Sequence, residues 1–260
     1  MVRSILKMCF SGMLAAALMF VAACLPDPAG PEDDNPMHEG GSSYIPPEIT
    51  YVNIADGDRI TDRNVLISWK GNTVSTRYSY QIDNASWDIT TDTSVTFHDL
   101  DEGTHTFRLE PQNEYYTGEK IQRTFTVDAI LKPGIYFSPR KMTAPGNVLL
   151  YFDEVDKLMG AHLEITASLS CAEFGGFTVN NDLGSTVQVF ADETDGSRLV
   201  IDMAYLGGKD GLSGTFLIGS FTVNPVKNGE ITIDPAKTFF RDVTNNDVIV
   251  KGFDSMRIYE

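Results

Sequence analysis

From position 46 onward this 260-residue sequence is built of short runs that alternate apolar and polar residues, cut at close intervals by turn residues. Val65, Ile67 and Trp69 alternate with Leu66, Ser68 and Lys70, and Tyr78, Tyr80 and Ile82 alternate with Ser79 and Gln81. Ile121, Arg123, Phe125 and Val127 keep the same period. A period of two places successive side chains on opposite faces of an extended strand. Asp56-Gly57-Asp58, Lys70-Gly71-Asn72, Asp83-Asn84, Asp101-Glu102-Gly103 and Thr117-Gly118-Glu119 mark turns between the runs. Short strands at this spacing predict an antiparallel sandwich over residues 46–129.

The alternation stops at Val127 and resumes after Gly134. Residues 148–152 form an apolar run that suits a buried strand, and residues 153–156 read as an acidic turn. Leu163, Ile165 and Ala167 alternate with His162, Glu164 and Thr166. Val187 with Val189, then Leu199, Ile201 and Met203, then Ile231 with Ile233 repeat the pattern. Residues 155–169 also fit one helical face through Leu158, Met159, His162 and Ile165. Gly160 and the β-branched Ile165 and Thr166 decide for strand. The fold class read from the sequence is therefore all-β, with a second sandwich over residues 133–260 and a joint near Lys132-Pro133.

The first 45 residues follow other rules. Arg3 and Lys7 precede a mostly apolar stretch that closes on Val21-Ala22-Ala23-Cys24. A charged start, a short apolar stretch and small residues before a cleavage point make a secretory signal. A membrane-spanning helix needs roughly 20 apolar residues, and this run is interrupted by Ser11 and Gly12. The V-A-A-C run resembles the lipobox of bacterial lipoproteins. That resemblance implies a signal peptide over 1–23 and a diacylated Cys24 at the mature N-terminus. It also implies a cell-envelope protein held to the membrane by acyl chains, at the outer membrane in a Gram-negative cell. Two chains on one residue anchor stably where one does so only marginally. Residues 24–45 are rich in Pro, Gly and acid, which predicts a flexible tether.

The chain carries a formal net charge of −16, the opposite of what a phosphate backbone attracts, so nucleic acid is excluded as a partner. Its three cysteines are Cys9, Cys24 and Cys171. Only Cys171 would remain as a free thiol, which excludes an internal disulfide framework. Its neighbours Ser170, Ala172 and Glu173 are not electropositive, so a buried structural thiol is expected rather than a reactive one.

Residues 67–69 (ISW), 78–83 (YSYQID), Trp87, 95–113 and the exit strand 123–129 resemble bacterial immunoglobulin-like and fibronectin-III-like modules. The second unit is similar, piece by piece, to the cohesin family. The residues that carry this are the apolar strand 148–152 running into DEVDKLMGAHLEI at 153–165, and RLVIDMAYLGGKDGLSGTFLIGSFTV at 198–223. NGEITID at 228–234 and FFRDVTNNDVIV at 239–250 follow in order. Where that family carries a Tyr/Phe-Asp pair after its third strand, this chain has residues 167–171, Ala-Ser-Leu-Ser-Cys. The resemblance implies a nine-stranded jelly-roll sandwich without catalytic machinery, which recognises a dockerin-like protein or a polysaccharide through one sheet face. The third, fifth, sixth and eighth strands would supply that face, with His162, Glu164, Thr166, Gln188, Asp202 and Thr232 pointing outward into solvent.

Catalytic motifs are missing: there is no G-x-S-x-G, no H-E-x-x-H and no phosphate-binding glycine loop. A glycoside hydrolase, or an accessory subunit of a polysaccharide-degrading system, is the alternative, since two carboxylates suffice for that chemistry. No cofactor is expected, with calcium as the alternative. Residues 192–196 and 242–247 gather oxygen ligands, yet neither fits the twelve-residue calcium frame. Trp69 is expected in the core and Trp87 at a rim.

Overall fold

The computed structural model describes residues 41 and 43–260, apart from the side chains of 184, 185 and 190–194. The proposed signal, Cys24 and most of the tether lie outside the described residues. Among the described residues regular structure is almost entirely strand, with two short 3-10 turns.

The first unit has eight strands: β1 (Ile49–Val52), β2 (Asp58–Ile60), β3 (Val65–Gly71), β4 (Arg77–Ile82), β5 (Asp88–Thr90), β6 (Ser94–Phe97), β7 (Gly103–Gln112) and β8 (Ile121–Val127). They form a three-stranded sheet, β1-β3-β6, and a five-stranded sheet, β2-β8-β7-β4-β5. Val65, Ile67 and Trp69 turn inward, as the alternation requires, against Tyr78, Phe107, Leu109 and Phe125. Trp69 is 2% exposed and packs edge-on to Tyr78 at 5.6 Å. Trp87 is half exposed, with the Lys120 ammonium 5.7 Å from its ring.

The second unit contains β9 (Gly134–Ser138), β10 (Lys141–Met142), β11 (Gly146–Leu158), β12 (Gly160–Ala167), β13 (Ala172–Val179), β14 (Val187–Thr194), β15 (Arg198–Tyr205), β16 (Leu212–Pro225), β17 (Gly229–Ile233), β18 (Phe239–Arg241), β19 (Gly252–Phe253) and β20 (Ser255–Ile258). One sheet runs β10-β20-β17-β12-β15-β14, with β18 also on β12, and the other runs β13-β16-β11-β9-β19. The pieces β9 and β10, β17 and β18, and β19 and β20 are consecutive in the chain; taking each pair as one strand leaves nine. The core between the sheets is aliphatic and phenylalanine-rich, with Leu150, Phe152, Leu163, Ile165, Ile201, Phe221 and Ile231 at its centre.

Two local readings change. Residues 153–156 are not a turn: β11 continues through them by bulges against β16. Hydroxyls on β16 make this possible. Thr215 accepts the Glu154 N–H at 3.1 Å and donates to Asp153 at 2.6 Å, while Ser213 accepts the Lys157 N–H and donates to Asp156, each at 2.9 Å. The amides freed at the bulges keep partners, so the acidic stretch remains in the sheet. In the segment that departs from the cohesin pattern, Ser168–Ser170 makes a single 3-10 turn with Leu169 and Ser170 in the left-handed region. Cys171 behind it is buried, with its thiol 3.6 Å from the Glu230 carbonyl.

Candidate functional site

The four strands β17, β12, β15 and β14 are adjacent in one sheet, and all six sequence-named positions lie on its outer side. His162 pairs across to Asp202, Glu164 to Val200, and Thr166 to both Arg198 and Thr232. Gln188 pairs with Ala204, itself opposite Gly160, so it shares their side. The facing core residues, Leu163, Ile165, Ile201 and Met203, are what fix this orientation.

Glu164 does not stand in solvent as expected; it is 4% exposed. The neighbouring edge explains this. β18 pairs with β12 at 160–162 and β17 pairs with it at 165–167, leaving residues 234–238 to arch past Glu164. The Asp234 N–H donates to the Glu164 carbonyl at 2.9 Å, and Thr238 Oγ1 accepts the Glu164 N–H at 3.2 Å. The arch carries Lys237 over the carboxylate. Lys237 Nζ donates to one oxygen at 2.6 Å and Arg198 Nη2 to the other at 2.8 Å. These two charge-assisted bonds hold the Glu164 pKa down to about 2. Val200, directly across from Glu164, is also buried. The centre of the face is thus a closed ionic plug rather than an open set of acids.

The open part lies to one side. His162 Nδ1 sits 2.6 Å from Asp202 Oδ1, and its ring stacks on Phe239 at 4.9 Å with the planes 13° apart. Phe239 is 49% exposed. The Arg241 guanidinium lies 5.7 Å from the Phe239 ring and pairs with Asp247 at 2.6 Å. Sequence reasoning missed Phe239, Arg241, Arg198 and Lys237. The first two had a usable signal: Phe240 belongs to the core, so alternation alone sends Phe239 and Arg241 outward. The cover over Glu164 had none, because it depends on an arch between two strands.

The remaining candidates resolve simply. Asp242 Oδ1 accepts the N–H of Thr244 at 2.8 Å and of Asn246 at 2.9 Å, closing its turn by itself. Among the described residues no group of three or more His, Cys, Asp or Glu is placed to hold a metal. The side chains of residues 192–194 lie outside the described residues.

No family model matches the chain, and no curated protein matches it. Several solved structures of cohesins are similar to it. A non-cellulosomal cohesin from the hyperthermophilic archaeon Archaeoglobus fulgidus has 14% identity and a TM-score of 0.40, covering 49% of this chain and 91% of that one. A cohesin module of a family 33 glycoside hydrolase from Clostridium perfringens has 11% identity and a TM-score of 0.40, covering 49% and 96%. A type I cohesin–dockerin complex from Clostridium thermocellum has 14% identity and a TM-score of 0.40, covering 48% and 92%.

Proposed function

We propose that this chain is a non-catalytic binding lipoprotein of a bacterial cell envelope. Cys24 anchors it through acyl chains, the first unit acts as an immunoglobulin-like spacer, and the cohesin-like second unit docks a dockerin-like protein. The two units are separate folding domains that meet near Lys132-Pro133. The observation that carries the reading is the gathering of His162, Thr166, Gln188, Asp202 and Thr232 from four strands onto one outer sheet face, beside the exposed Phe239. An exposed aromatic on a rigid sheet, stacked on an imidazole and ringed by satisfied charges, has the makings of a contact hot spot. Charged groups already bonded to one another leave no unpaired charge when a partner covers them, which is the costlier outcome of burial.

The test is capture by the immobilised acyl-free body, in parallel from envelope and extracellular extracts and on a glycan array. F239A with D202K is the matched control, since both positions lie at the open side and leave the core and the Glu164 plug intact. A dockerin-like protein retained by the wild type and lost at least tenfold by the double variant is the expected result. Equal retention removes this face from the proposal. Capture of glycan alone makes the ligand a polysaccharide, and turnover of a glycan or peptide ends the non-catalytic reading. For the anchor, C24S should move the protein from the membrane fraction to the soluble one.

A further inference from the structure

Each unit has its own hydrophobic core, and among the described residues none belongs to both. Units with separate cores move relative to each other by default unless something else fixes the angle between them. Here a network of charges crosses the joint. Arg63 of the first unit pairs through Nη2 with its own Glu102 at 2.8 Å and with Asp254 of the second at 3.2 Å. Asp254 also accepts from Arg140 Nε at 2.9 Å and from the Phe137 N–H at 3.3 Å. In return, the turn before β7 reaches into the second unit. Asp101 accepts the Arg140 N–H at 2.8 Å and the Ser138 hydroxyl at 3.3 Å. Asp99 lies 3.7 Å from Arg140 and 3.6 Å from Arg257. The Lys141 ammonium donates to the His98 carbonyl.

The linker is pinned along its length as well. The Asp128 N–H donates to the Ile60 carbonyl at 2.8 Å, and the Ala129 N–H donates to both Glu102 oxygens at 3.1 Å. The Pro133 carbonyl accepts from Lys251 at 2.7 Å. Gly252 lies so close under the Leu131 carbonyl and the Ile130 methyl that a Cβ would not fit there. The linker is therefore tied to the first unit at 128–129 and to the second at 130–133, and has no slack for a swivel.

We infer that the two units work as one rigid arm, clamped by the Arg63–Asp254–Arg140 hub and by Asp99 and Asp101. The clamp is ionic because its role is geometric. Buried ion pairs add little net stability, yet they accept only one arrangement of their partners. Arg257, which faces Asp99, and Ser255, whose carbonyl accepts from Arg140 Nη2 at 2.8 Å, lie on β20, which pairs with β17 of the outer face, so the clamp fixes the face against the spacer.

Nitrogen-15 relaxation of the full-length chain tests this. In the wild type the amides of both units should fit one rotational diffusion tensor. R63A combined with D101A should abolish that common tumbling and give each unit its own correlation time, while the chemical shifts of both cores stay in place. Should that variant unfold, R63M with D99N, which keeps the side-chain shapes but removes the Arg63 pair to Asp254 and the Asp99 pairs to Arg140 and Arg257, carries the same expectation. Separate tumbling in the wild type, or common tumbling that survives loss of the hub, overturns the inference.

Discussion

Glu164 on the sheet face and Asp254 at the joint are both carboxylates with almost no exposed side-chain surface, and each is held by two cations. Their acidities nevertheless move in opposite directions. Hydrogen bonds from Arg198 and Lys237 dominate at Glu164 and lower its pKa. Burial dominates at Asp254 and outweighs Arg63 and Arg140, so its pKa is raised. The difference lies in what does the covering. Flexible chains that reach back from solvent close over Glu164, and water and salt still screen them. Packed protein from both units encloses Asp254. Low exposure alone therefore does not say whether an ionised group is desolvated; the identity of the covering atoms does.

The largest expected effect is at the enclosed site. D254A leaves Arg140 and Arg63 as buried charges short of a partner and should cost about 3–5 kcal/mol of stability, read by urea unfolding. E164A should cost several-fold less, and its cost should shrink further as salt is raised, since exposed cations are screened. Equal losses in the two variants, or equal salt dependence, would break the distinction.

The pH response sharpens it. Glu164 has a lowered folded pKa, so its contribution is complete above the unfolded value of 4.5 and disappears as the pH falls from there toward about 2. Asp254 has a raised folded pKa, so its contribution is present below the unfolded value of 3.8 and is lost as the pH rises through the folded one. Unfolding free energies measured across the acid range should fall less steeply in E164Q than in the wild type, and more steeply in D254N. The same slope in both variants would contradict the opposite shifts. The smallest effect is expected outside both networks. Leu169 is exposed and left-handed at the turn after β12. L169N, which suits that backbone, should change stability by no more than about 0.5 kcal/mol and leave capture by the face untouched.

Strand class could be read from the sequence because alternation is local. A period of two records which side of each strand meets the core, and it placed Ile67, Trp69, Leu163, Ile165 and Ile201 inside without knowledge of their neighbours. It also set His162, Asp202 and Thr232 outward, and it would have set Phe239 there had the pair with Phe240 been read the same way. Alternation says nothing about what lies over an outward side chain. Glu164 looked solvated because the arch at 234–238 belongs to an element some 70 positions away in the chain. The acidic stretch 153–156 looked like a turn because Thr215 and Ser213, which keep it in the sheet, are contributed by another strand. The hub draws Arg63, Asp101, Arg140 and Asp254 from loops with no periodicity at all. Periodicity reports burial by a residue's own element, whereas cover, ion pairing and the clamp between units are long-range contacts that exist only once the chain has folded.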